Sequence, residues 1–130
     1  MQNPNLLSPS NLAFLGDAVY SLLVRERLST TSRPSGKLHS LSVKFVCASA
    51  QEKGFSLIEP LLTEQEIAVF KRGRNMHSGS IPKGASSKTY HTATGLEVLF
   101  GWLYLKKDLD RINSLFSVIW EGICADNSFE

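Results

Sequence analysis

The sequence predicts an all-α fold. Successive stretches repeat apolar residues at helical spacing, and segments rich in Gly, Pro, Ser and Thr separate them. No stretch alternates with period two for long enough to require a sheet.

The first helix is expected to enter at Ser8-Pro9-Ser10-Asn11, where a hydroxyl or amide can cap the leading N–H groups. It then runs from Leu12 to Leu28, with Leu12, Leu15, Val19, Leu22 and Leu23 forming one stripe. The breaker-rich segment Thr30 to Gly36 ends it. A second helix is expected from Lys37 to Lys53, with Leu38, Leu41, Phe45 and Ala48 inward and Gly54 as its C-cap. Thr63 followed by Glu66 is a capping box, so a third helix is expected from Glu64 to about Arg72. Asn75 to Ser87 reads as a long functional loop. Two more helices are expected, from Thr89 to Lys106 and from Asp108 to Ile123. The second of these faces inward through Leu109, Ile112, Leu115, Phe116 and Ile119. With no repeat and no linker, one domain over residues 1–130 is expected, its core at about 6–121.

The 130 residues are 42% hydrophobic and 20% charged, which suits a globule and excludes a disordered tail. Cys47 and Cys124 stand far apart, outside any C-x-x-C pair, which disfavours a zinc knuckle or a disulfide scaffold. Free thiols imply a reducing compartment. No segment is apolar for long enough to span a bilayer, and Met1 to Ser10 carries no signal-peptide pattern. The expected location is the cytoplasm, with no membrane partner.

The net charge is only +2, but it is segregated. No acid occurs from Arg27 to Gln51, or from Ile67 to Leu96, where Lys71, Arg72, Arg74, Lys83 and Lys88 fall. A basic face on a nearly neutral body points to phosphate as partner.

Two acids break the apolar pattern. Asp17 sits nearly opposite the main stripe of the first helix, in line with Ala13, Tyr20 and Val24. A helix apolar on both faces is buried on both, so a second subunit is expected over the far face, with Ala13, Gly16 and Tyr20 at the contact. Asp17 is then expected in a mostly dry place. Glu97 is the one carboxylate in Leu96 to Leu105, on a face with Ala93, Gly101 and Tyr104 that leaves it an open notch. Burying an unpaired carboxylate costs several kcal/mol or more. A basic partner, a shared proton, hydrogen-bond donors, or a divalent cation bridging both acids can each offset that cost. Mg²⁺ suits the last option, because it takes one or two carboxylates and keeps waters or phosphate oxygens for the rest of its shell.

Asn11 to Tyr20 (NLAFLGDAVY) resembles the signature of the ribonuclease III catalytic domain, and Thr94 to Gly101 (TGLEVLFG) resembles its second acidic motif. Phe70 to Asn75 (FKRGRN) and the loop after it resemble, more narrowly, the Mini-ribonuclease III branch, which lacks the double-stranded-RNA-binding domain. The resemblance covers about Leu6 to Glu121 and leaves too short a tail for an appended module. It implies a homodimeric Mg²⁺-dependent endoribonuclease, with Mn²⁺ able to substitute, that cleaves double-stranded RNA to 5′-phosphate and 3′-hydroxyl ends. Asp17 and Glu97 match the catalytic, metal-binding acids. Two further acids of the full-length enzymes are replaced here by Ala13 and Thr94, as in the Mini branch. The resemblance suggests precursor ribosomal RNA of the large subunit as substrate. Lys71, Arg72, Arg74, Lys83 and Lys88 are expected to grip it. The alternative is a non-catalytic RNA-binding module of a ribosome-related complex, which has no need of both acids.

Overall fold

The computed structural model describes residues 3–76 and 86–126, and among these every regular element is helical. The helices are α1 (Pro9–Ser29), α2 (Ser35–Val46), α3 (Ala48–Ile58), α4 (Glu64–Arg74), α5 (Ser87–Leu105) and α6 (Leu109–Asp126). Short 3-10 turns occupy Pro4–Leu6 and Glu59–Leu61.

The caps form where the sequence placed them. The Ser8 hydroxyl accepts from the Asn11 N–H at 3.2 Å, and Pro9 follows at the first helical position. At α4 the Thr63 hydroxyl accepts from the Glu66 N–H at 3.1 Å, and Glu66 accepts from the Thr63 N–H at 2.9 Å. Lys107, with φ 65°, closes α5 in a left-handed residue, and the Asp108 N–H reaches back to the Leu103 carbonyl.

The second expected helix is corrected. It breaks at Cys47, whose backbone is extended, and a new helix begins at Ala48. No Gly or Pro marks the break. The Gln51 side chain holds it instead, donating from Nε2 to the Val46 carbonyl at 3.1 Å and so satisfying an acceptor at the end of α2. Gly54 is not a C-cap. It lies buried inside α3, where a Cβ would come within 2.9 Å of Ile119 on α6.

Helix α5 is the axis of the protein. It packs against α1, α3, α4 and α6, and its residues from Thr92 to Leu103 are buried, except half-buried Glu97. A helix enclosed on nearly every side is apolar nearly all round, as Leu96 to Leu105 is apart from Glu97. Tyr20 reaches from α1 into the centre and makes edge contacts with Phe100 and Phe116, each at 5.5 Å between ring centroids. Phe55 stacks on Phe70 at 3.8 Å where α3 meets α4.

The residues expected at a subunit contact are placed as follows in the single chain. Tyr20 and Gly16 belong to the protomer's own core and Ala13 is half-buried. The outward apolar residues of α1 are Phe14, 85% exposed, and Leu22, 62% exposed. The stripe expected through Leu15 and Leu22 is shifted, because α5 pairs with the face of Leu12, Gly16, Val19, Tyr20 and Leu23. No helix among the described residues is long and apolar enough to cross a membrane.

Candidate active site

The site is built where α1 crosses α5. Gly16 and Gly101 lie at the crossing. A Cβ on Gly16 would overlap the Glu97 carbonyl, and one on Gly101 would overlap the Leu12 carbonyl. Two helices without side chains at the contact approach backbone to backbone. That approach sets Asp17, the next residue on α1, beside Glu97 on α5, near enough for each carboxyl to act on the other.

Asp17, expected in a dry place within the fold or an interface, is exposed in the single chain. The notch expected around Glu97 is partly filled, since α1 occupies the space above Gly101. Burial first, and the neighbouring Asp17 carboxylate second, push Glu97 from 4.5 up to about 8. The Gln51 side chain, within hydrogen-bonding reach, pulls the other way. Beneath the acids the buried Tyr20 hydroxyl has no hydrogen-bond partner among the described residues, and burial, then Cys47 and Glu97, raise its pKa.

Glu97 opens into a cleft of about 190 Å³ with Val46, Ala48, Gln51, Tyr90, Ala93 and Thr94. Thr94, where full-length enzymes are expected to carry an acid, turns its hydroxyl to the Tyr90 carbonyl at 3.0 Å. No group of three or more His, Cys, Asp or Glu stands together among the described residues. The donor set for a cation is therefore the two carboxylates, and its chemistry fits a hard divalent ion that fills its shell with water and phosphate. With both acids ionised, two negative charges stand side by side, the condition such an ion relieves.

The other face of the α3–α5 seam carries a larger groove, about 820 Å³, lined by Lys71, Arg74, Lys88 and the Asp126-paired Lys53, with Glu52 and Glu59, over Phe55 and Phe70. It brings together three of the cations picked out in the sequence. Arg72 leaves that set, because its Nη2 donates to the Leu7 carbonyl at 2.8 Å. Lys83, and His77 with it, lie outside the described residues. His91 is half-buried and makes an edge contact with Tyr90. Gln51, 2% exposed, is the polar residue of this site that sequence reasoning missed. Its signal is present in the chain, since the inward stripe of Leu41, Phe45 and Ala48 reaches Gln51 three residues on.

The ribonuclease III domain profile matches residues 10–108. The chain is 42% identical over 113 residues to a Mini-ribonuclease 3 of Thermoanaerobacter sp., covering 86% of this chain and 80% of that protein. It is 40% identical over 121 residues to the Mini-ribonuclease 3 of Streptococcus pneumoniae, covering 90% and 94%. A crystal structure of a Fusobacterium nucleatum protein superposes with a TM-score of 0.85 at 26% identity, covering 94% of this chain and 98% of that one. The domain match contains both Asp17 and Glu97, and the chain belongs to the ribonuclease III family, in its Mini-ribonuclease III branch.

Proposed function

We propose that this endoribonuclease cleaves double-stranded RNA with Mg²⁺, or Mn²⁺ in its place, held by Asp17 and Glu97. The observation that carries the reading is the pair of acids brought together at the glycine crossing. Burial and mutual repulsion raise Glu97 there, and no basic side chain among the described residues acts on it to offset them. The relatives named Mini-ribonuclease 3 support the activity.

Bound to the pair, Mg²⁺ supplies a Lewis acid that neutralises charge on the scissile phosphate and makes water more acidic. The chain's own residues do the rest. Asp17, exposed, meets the arriving phosphodiester, while half-buried Glu97 is fixed behind it by the α1–α5 contact. Lys71, Arg74 and Lys88 contact backbone phosphates along the groove, and Lys83 adds to them from outside the described residues. A-form RNA is recognised through such contacts rather than through base edges. The products are 5′-phosphate and 3′-hydroxyl ends.

The protein acts as a homodimer, in which a second copy covers Phe14 and Leu22 and each copy cuts one strand. The substrate is a stem of the large-subunit ribosomal RNA precursor, in the cytoplasm. The test is cleavage of a structured RNA in Mg²⁺, then in EDTA, by the wild type and by Asp17→Asn. Loss of about 100-fold or more in the variant, with its melting temperature kept, supports the assignment. Cleavage by Asp17→Asn at the wild-type rate overturns it.

A further inference from the structure

Gln51 is the most conspicuous polar side chain that the proposed chemistry leaves unused. It is 2% exposed, inside α3, and it lines the cleft that contains Glu97. Its Nε2 faces the Val46 carbonyl at 3.1 Å, and since only the nitrogen of the amide can donate to a carbonyl, this contact fixes which end of the amide is which. The second N–H of the same nitrogen is left for the Glu97 carboxyl, which the Gln51 side chain reaches. Oε1 then has no donor among the described residues.

A buried acceptor without a donor is uncommon in a folded protein and calls for a partner from outside these residues. The cleft beside it, about 190 Å³, has room for several waters, each taking roughly 30 Å³. Side chains just outside the ligands of a metal commonly orient those ligands and bind the water around the ion. Mg²⁺ held by only two carboxylates keeps several such waters.

We propose that Gln51 is a positioning residue of the acid pair. Its nitrogen, anchored on the Val46 carbonyl, orients the Glu97 carboxylate. Its oxygen accepts a hydrogen bond from a water in the hydration shell of the divalent cation. The break between α2 and α3 serves this arrangement, because it presents the Val46 carbonyl that clamps the amide. The proposal rests on the reading that Asp17 and Glu97 hold a cation.

The test is calorimetric titration of the RNA-free protein with Mn²⁺ alone, with melting temperatures and RNA affinity in EDTA measured alongside. Glu97→Ala first tests the underlying reading: if it binds Mn²⁺ as the wild type does, that reading fails, and this proposal with it. With Glu97→Ala defective, Gln51→Met removes the amide at nearly constant volume and is expected to weaken Mn²⁺ binding by about 5-fold or more at unchanged RNA affinity. Gln51→Glu keeps an oxygen but loses the N–H groups that hold the Val46 carbonyl and Glu97, and is expected to weaken Mn²⁺ binding less than Gln51→Met does. That order supports the positioning role. Unchanged Mn²⁺ affinity in Gln51→Met, or equal weakening in both variants, overturns it and leaves Gln51 as a cap of α2. Should Gln51→Met fail to fold, Gln51→Leu takes its place, and unchanged Mn²⁺ affinity there overturns the proposal.

Discussion

The α-carbon of Gly16 rests on the backbone carbonyl of Glu97, so closely that no side chain fits between them. One glycine thereby fixes the register of two helices and the spacing of the acids on either side of the crossing.

Gly16→Ala is expected to lose about 2–3 kcal/mol, since its Cβ meets a backbone atom that cannot turn aside. The helices must part, so cleavage falls with stability, even below the melting transition. Gly36→Ala is the control. Nothing lies near a Cβ there, in the first turn of α2, and the substitution should gain about 0.4–1 kcal/mol. Thermal melts of both variants check the contrast, and equal melting temperatures would refute it.

The acid pair makes stability depend on pH in a direction opposite to that of most carboxylates. Folded Glu97 keeps its proton up to about pH 8, whereas the unfolded chain releases it near 4.5. The folded state therefore binds more protons across that window, and metal-free protein loses stability as pH rises through it. From about pH 6 to about pH 8.5 the expected loss is on the order of 2 kcal/mol. Mg²⁺, which binds the ionised pair, should stabilise more at the upper pH. Calorimetric melts in EDTA and in Mg²⁺ at both values measure this, and Glu97→Gln should remove the pH dependence.

The number of phosphates gripped is read from the salt dependence of binding. Replacing Lys71, Arg74 and Lys88 with Gln should lower the slope of log affinity against log salt by about 2, at somewhat under one unit for each phosphate no longer neutralised. Arg72→Gln should leave the slope near wild type and cost a little stability, because its guanidinium ties α4 to the chain before α1. Equal slopes for the two variants would place the RNA elsewhere.

Glu66 offers a test of stability away from the acids. It is 5% exposed, and Arg111 donates to it from Nε at 2.9 Å and from Nη2 at 2.7 Å. The Arg111 hydrogen bond holds its carboxyl below the usual range, so this contribution is present above about pH 4.5 and is lost as acid titrates it. Glu66→Ala strands a guanidinium and a helix N-terminus together. It should lose about 3 kcal/mol, with kcat preserved well below the melting temperature.

The helices are legible in the chain alone, because caps and periodicity are local: Ser8, Thr63 and Glu66, and the stripe of α6, act within a few residues. Asp17 and Glu97 are legible there too, since a carboxylate among apolar neighbours is conspicuous in one dimension. Which face of α1 is core is settled only by packing, which places Tyr20 inside and Phe14 outside. The two faces are about equally apolar, so the choice falls to whichever packs on α5. The break at Cys47 is likewise a tertiary matter, held by Gln51 from within the next helix and marked by no local breaker. So is the separation of Arg72 from Lys71 and Arg74, because neighbouring residues on a helix point about 100° apart and reach different partners.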